Sequence, residues 1–382
     1  MKTAQPQIPR LGDVFAARAI VNRYLKPTPL IHPNGLSKLL ECEVFLKLEN
    51  LQPTRAFKVR GGIRFMEKMV KQGQPRIVIT ASTGNHAQSV AYAGKLFGVP
   101  VKVVMPNGVP QLKSEAVKNL GAEILYHGSY YDEAREYAGR LAFQEGYLFI
   151  HPSNEPLLFE GVATMHLEVI EEQPDLDIVI NPIGGGSGAS AACIVYKSIN
   201  PKIKVIGVQA EGAPAFYNSW KSGSMMATDG VKTQAEGLAT SQAYELPFRY
   251  LKEKLDDVIL VSDAEMMQAV RTIFSTTGQI AELSGAASTA AAMKIRDQLQ
   301  GKNVALLLTG GNIERHQLAH GKASYDAIRH TFEANLPANP KLFNEYHALI
   351  VHTGKHFCHK REPLCASCPL QPFLPSRLET CS

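Results

Sequence analysis

The sequence predicts an α/β protein of two lobes, built on parallel-rich sheets flanked by helices, and three observations carry that reading. Short β-rich runs alternate with helical patterns along most of the chain. The junctions from run to helix are rich in glycine, serine and threonine. Hydrophobic residues make up 45% and charged residues 20%, as in an ordinary globular protein. Parallel strands need long crossovers, usually helical, so strict alternation covers both faces of a sheet.

Taken in order, the strand-like runs are 44–48, 77–80, 101–105, 123–126, 178–181, 205–209, 258–261 and 304–309. Amphipathic stretches at 88–97 and 114–120 lie between them, and Gly98-Val99-Pro100 stops the first of these where the next run begins. At 382 residues the chain can bury a large core. A large domain is expected from 1–75 and 155–330, a small domain from 76–154, and a Cys-rich C-terminal tail from 331–382. The tail opens on the Pro-rich connection Leu336-Pro337-Ala338-Asn339-Pro340.

Charge and hydropathy narrow the class of function. The net charge of +5 is spread along the chain, which argues for no nucleic-acid or membrane partner and leaves room for a small anionic ligand. Met1-Lys2-Thr3-Ala4-Gln5-Pro6 has no apolar signal core behind it, and no run approaches the roughly 18 apolar residues of a membrane span. A soluble, cytoplasmic protein is expected.

Three segments carry chemistry. In Arg55-Ala56-Phe57-Lys58-Val59-Arg60-Gly61-Gly62 the lysine stands between two apolar residues, a setting that lowers an amine pKa and favours the nucleophilic neutral form. The same residues can equally form a basic surface turn. Gly184-Gly185-Gly186-Ser187-Gly188 joins the run at 178–181 to a helical pattern at 189–196, and its backbone N–H groups suit a phosphate. A turn that only closes a strand-helix unit would read alike. Ser82-Thr83-Gly84-Asn85-His86 puts hydroxyls and N–H donors at a helix start, suited to a substrate carboxylate or to plain capping. Thr309-Gly310-Gly311-Asn312 adds a hydroxyl at a strand end.

Together with Pro27-Thr28-Pro29-Leu30, these motifs stand in the order that marks fold-type II pyridoxal-phosphate enzymes. The stretch from about Phe15 to about Glu314 resembles the threonine/serine ammonia-lyases and serine racemases of that tryptophan synthase β-like fold. The resemblance implies pyridoxal 5'-phosphate held as a Schiff base on Lys58. It implies phosphate binding by Gly184, Gly185, Gly186, Ser187 and Gly188, a ring-oxygen contact from Asn85, packing by Phe57, and Thr309 against the ring nitrogen. Ser82, Thr83, Gly84, Asn85 and His86 are expected to bind the substrate carboxylate. Lys58 and Thr83 are the expected acid/base pair.

A neutral hydroxyl opposite the ring nitrogen leaves that nitrogen unprotonated and the ring a weaker electron sink, suited to eliminating a β-hydroxyl and not to transamination. In the family the cofactor phosphate helps the hydroxyl leave, and the product hydrolyses to a 2-oxo acid and ammonia. The expected activity is deamination of L-threonine, L-serine or a related β-hydroxy amino acid by a homodimer. Racemisation is the alternative within the family; a metal-bearing nucleic-acid-binding protein with an inactive pyridoxal site is the alternative outside it. The chain lacks the length for an appended regulatory domain, so end-product inhibition through one is not expected.

This chain also departs from the family. Ala56 stands where serine is usual, Ser187 where a fourth glycine is usual, and Thr83 where racemases carry serine and many lyases alanine. The segment 208–215 lacks two carboxylates that hold a divalent cation in the racemases, although Glu211 is adjacent.

Of 6 cysteines, Cys42 and Cys193 are isolated, while Cys358, Cys365, Cys368 and Cys381 crowd the C-terminus. Cys358-x6-Cys365-x2-Cys368 is similar to the [4Fe-4S] segment of endonuclease III-type DNA glycosylases. The fourth cysteine of that pattern is replaced by Leu374 and displaced to Cys381. A [4Fe-4S] cluster, zinc with His356 or His359, and a metal-free remnant are the readings of this segment.

Overall fold

A computed structural model describes residues 7–73, 77–109 and 111–313. The described residues all fall within one compact unit. The tail cysteines lie outside the described residues. Among the described residues ten strands occur, in the order β1 (Leu30–Ile31), β2 (Glu43–Leu48), β3 (Val78–Ala81), β4 (Val101–Met105), β5 (Glu123–Tyr126), β6 (Leu148–Phe149), β7 (Ile178–Pro182), β8 (Lys204–Ala210), β9 (Asp257–Val261) and β10 (Asn303–Leu308). They form a six-stranded sheet, β1-β2-β10-β7-β8-β9, and a four-stranded sheet, β5-β4-β3-β6.

Each of the eight runs read from the sequence is a strand, shifted by no more than one residue at either end. The expected parallel pairing holds everywhere except at β1, which runs antiparallel to β2 with Leu30 opposite Lys47. Strands β1 and β6 are two residues long, too short to leave a periodic signal.

Period-2 alternation assigns the faces of the larger sheet. In β7, Ile178 and Ile180 join one apolar cluster while Val179 joins another on the opposite side. Small residues let a helix lie close on the first face: Ala286, Ala287, Ala290 and Ala291 of the Leu283–Lys294 helix are all buried there. On the second face the Ser187–Ile199 helix contributes Ala189, Ala192, Cys193 and Tyr196. The Asn85–Phe97 helix ends as the sequence predicts, at Gly98 with a left-handed φ of 68°, which turns the chain into β4.

This topology brings the motifs together. Adjacent strands β2, β10 and β7 lead respectively toward Lys58, Thr309 and the 184–188 loop. In the smaller sheet the interior strand β3 leads into Ser82. All four motifs follow the C-terminal ends of strands, where open α/β sheets place their ligand crevices.

Candidate active site

The lysine segment is held by backbone pairing to the end of β10. Phe57 N–H donates to Thr309 O at 3.1 Å and Gly311 N–H to Arg55 O at 2.9 Å, with Ala56 bridged to Gly310. Arg55 takes a left-handed φ of 53°, and the chain then enters the Lys58–Lys71 helix. Lys58 is therefore fixed within the first helical turn. Its carbonyl accepts from Ser89 Oγ at 2.6 Å, which ties it to the Asn85–Phe97 helix. The two helices are pressed so close that a Cβ on Gly62 would come within 2.4 Å of Ser89 Oγ.

The Lys58 amine donates to Ser187 Oγ at 2.7 Å and lies 5.3 Å from the centre of the Phe57 ring. Burial lowers its pKa from 10.5 to about 8, as its apolar flanks predict. Ser187 is the first residue of the Ser187–Ile199 helix, after Gly186 at a left-handed φ of 89°. Gly186 offers no side chain to cap the helix, so donors and a positive dipole end face the lysine amine. The first two glycines leave no room for a side chain: a Cβ on Gly184 would lie 1.9 Å from Gly237 O, and one on Gly185 2.0 Å from Ser153 Oγ. Gly188 passes beside the Phe57 ring, 3.6 Å from where a Cβ would stand.

The second sheet contributes the 82–86 turn. Ser82 Oγ accepts from Gly84 N–H at 3.2 Å, and the Asn85–Phe97 helix starts behind Gly84 without a side-chain cap. Ser82, Thr83, Gly84 and Asn85 are half-buried. His86 differs from the others. Its ring is buried, with Nε2 3.0 Å from Thr80 Oγ1, and burial followed by the Lys58 charge lowers its pKa to about 3. It is a neutral core histidine, so only its backbone faces the turn. Thr309 is buried at the end of β10.

Two features were not legible in the sequence. Arg60, which reads as part of a basic turn, is fully buried among Glu49, Glu168, Lys47 and Thr164. Burial alone would raise the Glu49 pKa, and the Arg60 charge and hydrogen bonds outweigh it, holding the carboxyl low. The second feature is Glu282, whose Oε1 accepts from Asn85 Nδ2 at 2.8 Å. An isolated charge inside the apolar run Ile280-Ala281-Glu282-Leu283 was the available signal.

A lysine with a depressed amine pKa, a glycine loop at an uncapped helix start and a neutral strand-end hydroxyl together form a donor set that suits pyridoxal phosphate. The sequence model for "Pyridoxal-phosphate dependent enzyme" matches residues 21–310. The chain belongs to this family. As a pyridoxal-phosphate dependent enzyme it is 36% identical over 304 residues to an L-threonine ammonia-lyase of Thermotoga maritima, covering 80% of this chain and 76% of that protein. It is 30% identical over 313 residues to a serine racemase of Schizosaccharomyces pombe, covering 82% of this chain and 97% of the relative. The solved structure of the processed form of threonine deaminase isoform 2 from Solanum lycopersicum superposes with a TM-score of 0.76 at 28% identity, over 86% of this chain and 95% of that one.

Among the described residues of this pyridoxal-phosphate dependent enzyme, no group of three or more His, Cys, Asp or Glu side chains could hold a metal ion. At Glu211, where the sequence argues against a divalent site, the Lys294 ammonium lies 3.2 Å from Glu211 Oε1, 3.1 Å from Glu265 Oε1 and 2.9 Å from Leu260 O. No helix among the described residues is long and apolar enough to cross a membrane.

Proposed function

We propose that this chain is an ammonia-lyase that deaminates L-threonine, L-serine or a related β-hydroxy amino acid to a 2-oxo acid and ammonia. The observation that carries the reading is the half-buried Lys58 amine, 2.7 Å from Ser187 Oγ in the glycine loop, with the backbone of buried, neutral Thr309 paired to the adjacent Phe57. Relatives named as L-threonine ammonia-lyases support the substrate class.

When bound, pyridoxal phosphate supplies an electron sink for the substrate's α-carbon. Lys58, whose amine pKa of about 8 leaves a usable neutral fraction near neutrality, anchors the cofactor and then serves as the base for the α-proton. Gly184 to Gly188 hold the phosphate with backbone N–H groups, Phe57 packs on the ring, and Asn85 and Thr309 meet the ring oxygen and nitrogen. Ser82, Thr83, Gly84 and Asn85 take the substrate carboxylate, with the backbone of His86 completing the helix start. The cofactor would lie between the 76–154 lobe and the rest. Homodimer assembly belongs to the same reading, and metal analysis of the purified protein tests the iron-sulfur and zinc readings of the tail.

The purified protein should show a visible cofactor band that borohydride fixes onto Lys58, and should release ammonia and 2-oxobutyrate from L-threonine. Lys58→Ala should abolish both while keeping the fold. A protein that cannot be loaded with pyridoxal phosphate, or full turnover in Lys58→Ala, would overturn the assignment.

A further inference from the structure

Glu282 is half-buried, and the chemistry above has no task for its carboxyl. It immediately precedes the Leu283–Lys294 helix with extended backbone, φ −75° and ψ 163°, yet its side chain does not cap that helix. Its Oε1 instead accepts from Asn85 Nδ2 and from Ser284 Oγ, both at 2.8 Å, and the Asn312 backbone N–H is a further donor to the carboxyl. The other end of the Asn85 amide is also held, because Oδ1 accepts from Asn312 Nδ2 at 2.7 Å and that nitrogen donates again to Thr54 O at 2.9 Å. A primary amide has two N–H donors and one carbonyl acceptor. With one N–H on Glu282 and the carbonyl on Asn312, the amide plane is fixed and one N–H is left for a ligand.

The backbone at Gly310 runs directly against this pair. A Cβ there would lie 2.6 Å from Glu282 Oε1 and 3.3 Å from Asn85 Nδ2. Gly310 follows Thr309, so the Glu282–Asn85 pair borders the place assigned to the cofactor ring. We propose that Glu282 is a positioning residue that aims the remaining Asn85 N–H at the cofactor's ring oxygen and, through Asn85, sets the protonation of that oxygen. This rests on the reading that Asn85 contacts the ring oxygen. A glutamine at 282 keeps the shape but replaces one acceptor oxygen with a donor, so the three incoming donors can no longer all be accepted.

The test is the absorbance spectrum of the holoenzyme, whose visible and near-ultraviolet bands report the two protonation states of the ring system. Glu282→Gln should change the band ratio about fivefold, the population change equivalent to one ordinary net hydrogen bond. Asn85→Ala should move the ratio in the same direction, and the double variant should go no further, because both act through one contact. Ser284→Ala, which removes a donor to the same oxygen, should shift the ratio less, and it carries the test if Glu282→Gln does not fold. A normal wild-type band with an unmoved Glu282→Gln spectrum, or additive shifts in the double variant, would overturn the Glu282 role alone. A wild-type protein without the band would overturn the site reading and this inference with it.

Discussion

Capture of the cofactor should depend on pH in a way that Lys58 alone dictates. Only the neutral amine attacks an aldehyde, and burial brings the Lys58 pKa from 10.5 to about 8. At pH 7 the neutral fraction is then about one in ten, against about one in 3,000 for an unshifted lysine, so capture gains roughly 300-fold. The sign follows from the proton count: the rate should rise about tenfold per pH unit below the lowered pKa and level off above it. Stopped-flow absorbance of cofactor-free protein mixed with pyridoxal phosphate, from about pH 6.5 upward so that the phosphate stays mostly dianionic, measures this directly. Lys58→Ala supplies the blank. A rate that keeps climbing tenfold per unit through about pH 10 would mean an ordinary solvated lysine and would refute the buried-amine reasoning.

Arg60→Met should cost about 3–5 kcal/mol in urea unfolding, because it removes the ion-pair partner of buried Glu49 and leaves Glu168 with Lys47 alone; a loss under about 1 kcal/mol would contradict their burial. Since Glu49 is held below its ordinary 4.5, its contribution to stability is present above that pH and should fade as acid titrates the folded carboxyl, visible as a falling urea midpoint. Gly184→Ala should weaken cofactor binding by more than about tenfold, since its Cβ would sit 1.9 Å from Gly237 O, whereas Gly139→Ala, with nothing within 4 Å, should leave binding unchanged and stabilise its helix slightly. Equal cofactor dissociation constants for these two variants would count against the loop assignment. With L-serine, pyruvate should outpace D-serine in chiral chromatography, because the β-branched Thr83 side chain has restricted rotamers with which to protonate the opposite face. D-serine that forms faster than pyruvate, and disappears in Thr83→Ala, would reverse that order.

Much of the frame was legible because burial on both faces leaves a continuous apolar run. Val101–Met105 coincides with its sequence reading, and Ile178–Pro182, buried at every position, runs one residue past its own. Strand order was not legible, since β10 pairs with β2 across most of the chain's described length and no local pattern records that. The lysine, the glycine loop and the 82–86 turn stood out as candidates because glycine and small hydroxyl residues cluster at strand-helix junctions, where backbone N–H groups are left open. Glu282 could not, as its partner Asn85 is 197 positions away. The neighbours of His86 group it with the substrate-binding residues, and only its contact with Thr80 shows the ring turned into the core. Likewise Arg60 reads as surface from its basic neighbourhood, while its two carboxylate partners approach from β2's far end and from the Pro156–Glu172 helix.

The quartet of Lys47, Glu49, Arg60 and Glu168 also constrains how this sequence can be rearranged. Three of its members lie close together in the chain, but Glu168 is 108 positions beyond Arg60. A crossover anywhere between them exchanges one carboxylate of the cluster without its cations. Chimeras with distant homologues should therefore be viable when the breakpoint falls before Lys47 or after Glu168, or when the incoming segment brings matching charges, and should be destabilised when it falls between Arg60 and Glu168 without them. Drift at these positions meets the same barrier, because any single charge loss leaves an uncompensated partner in the core two residues from Lys58. The four sites are in this sense one inherited character, written in two places.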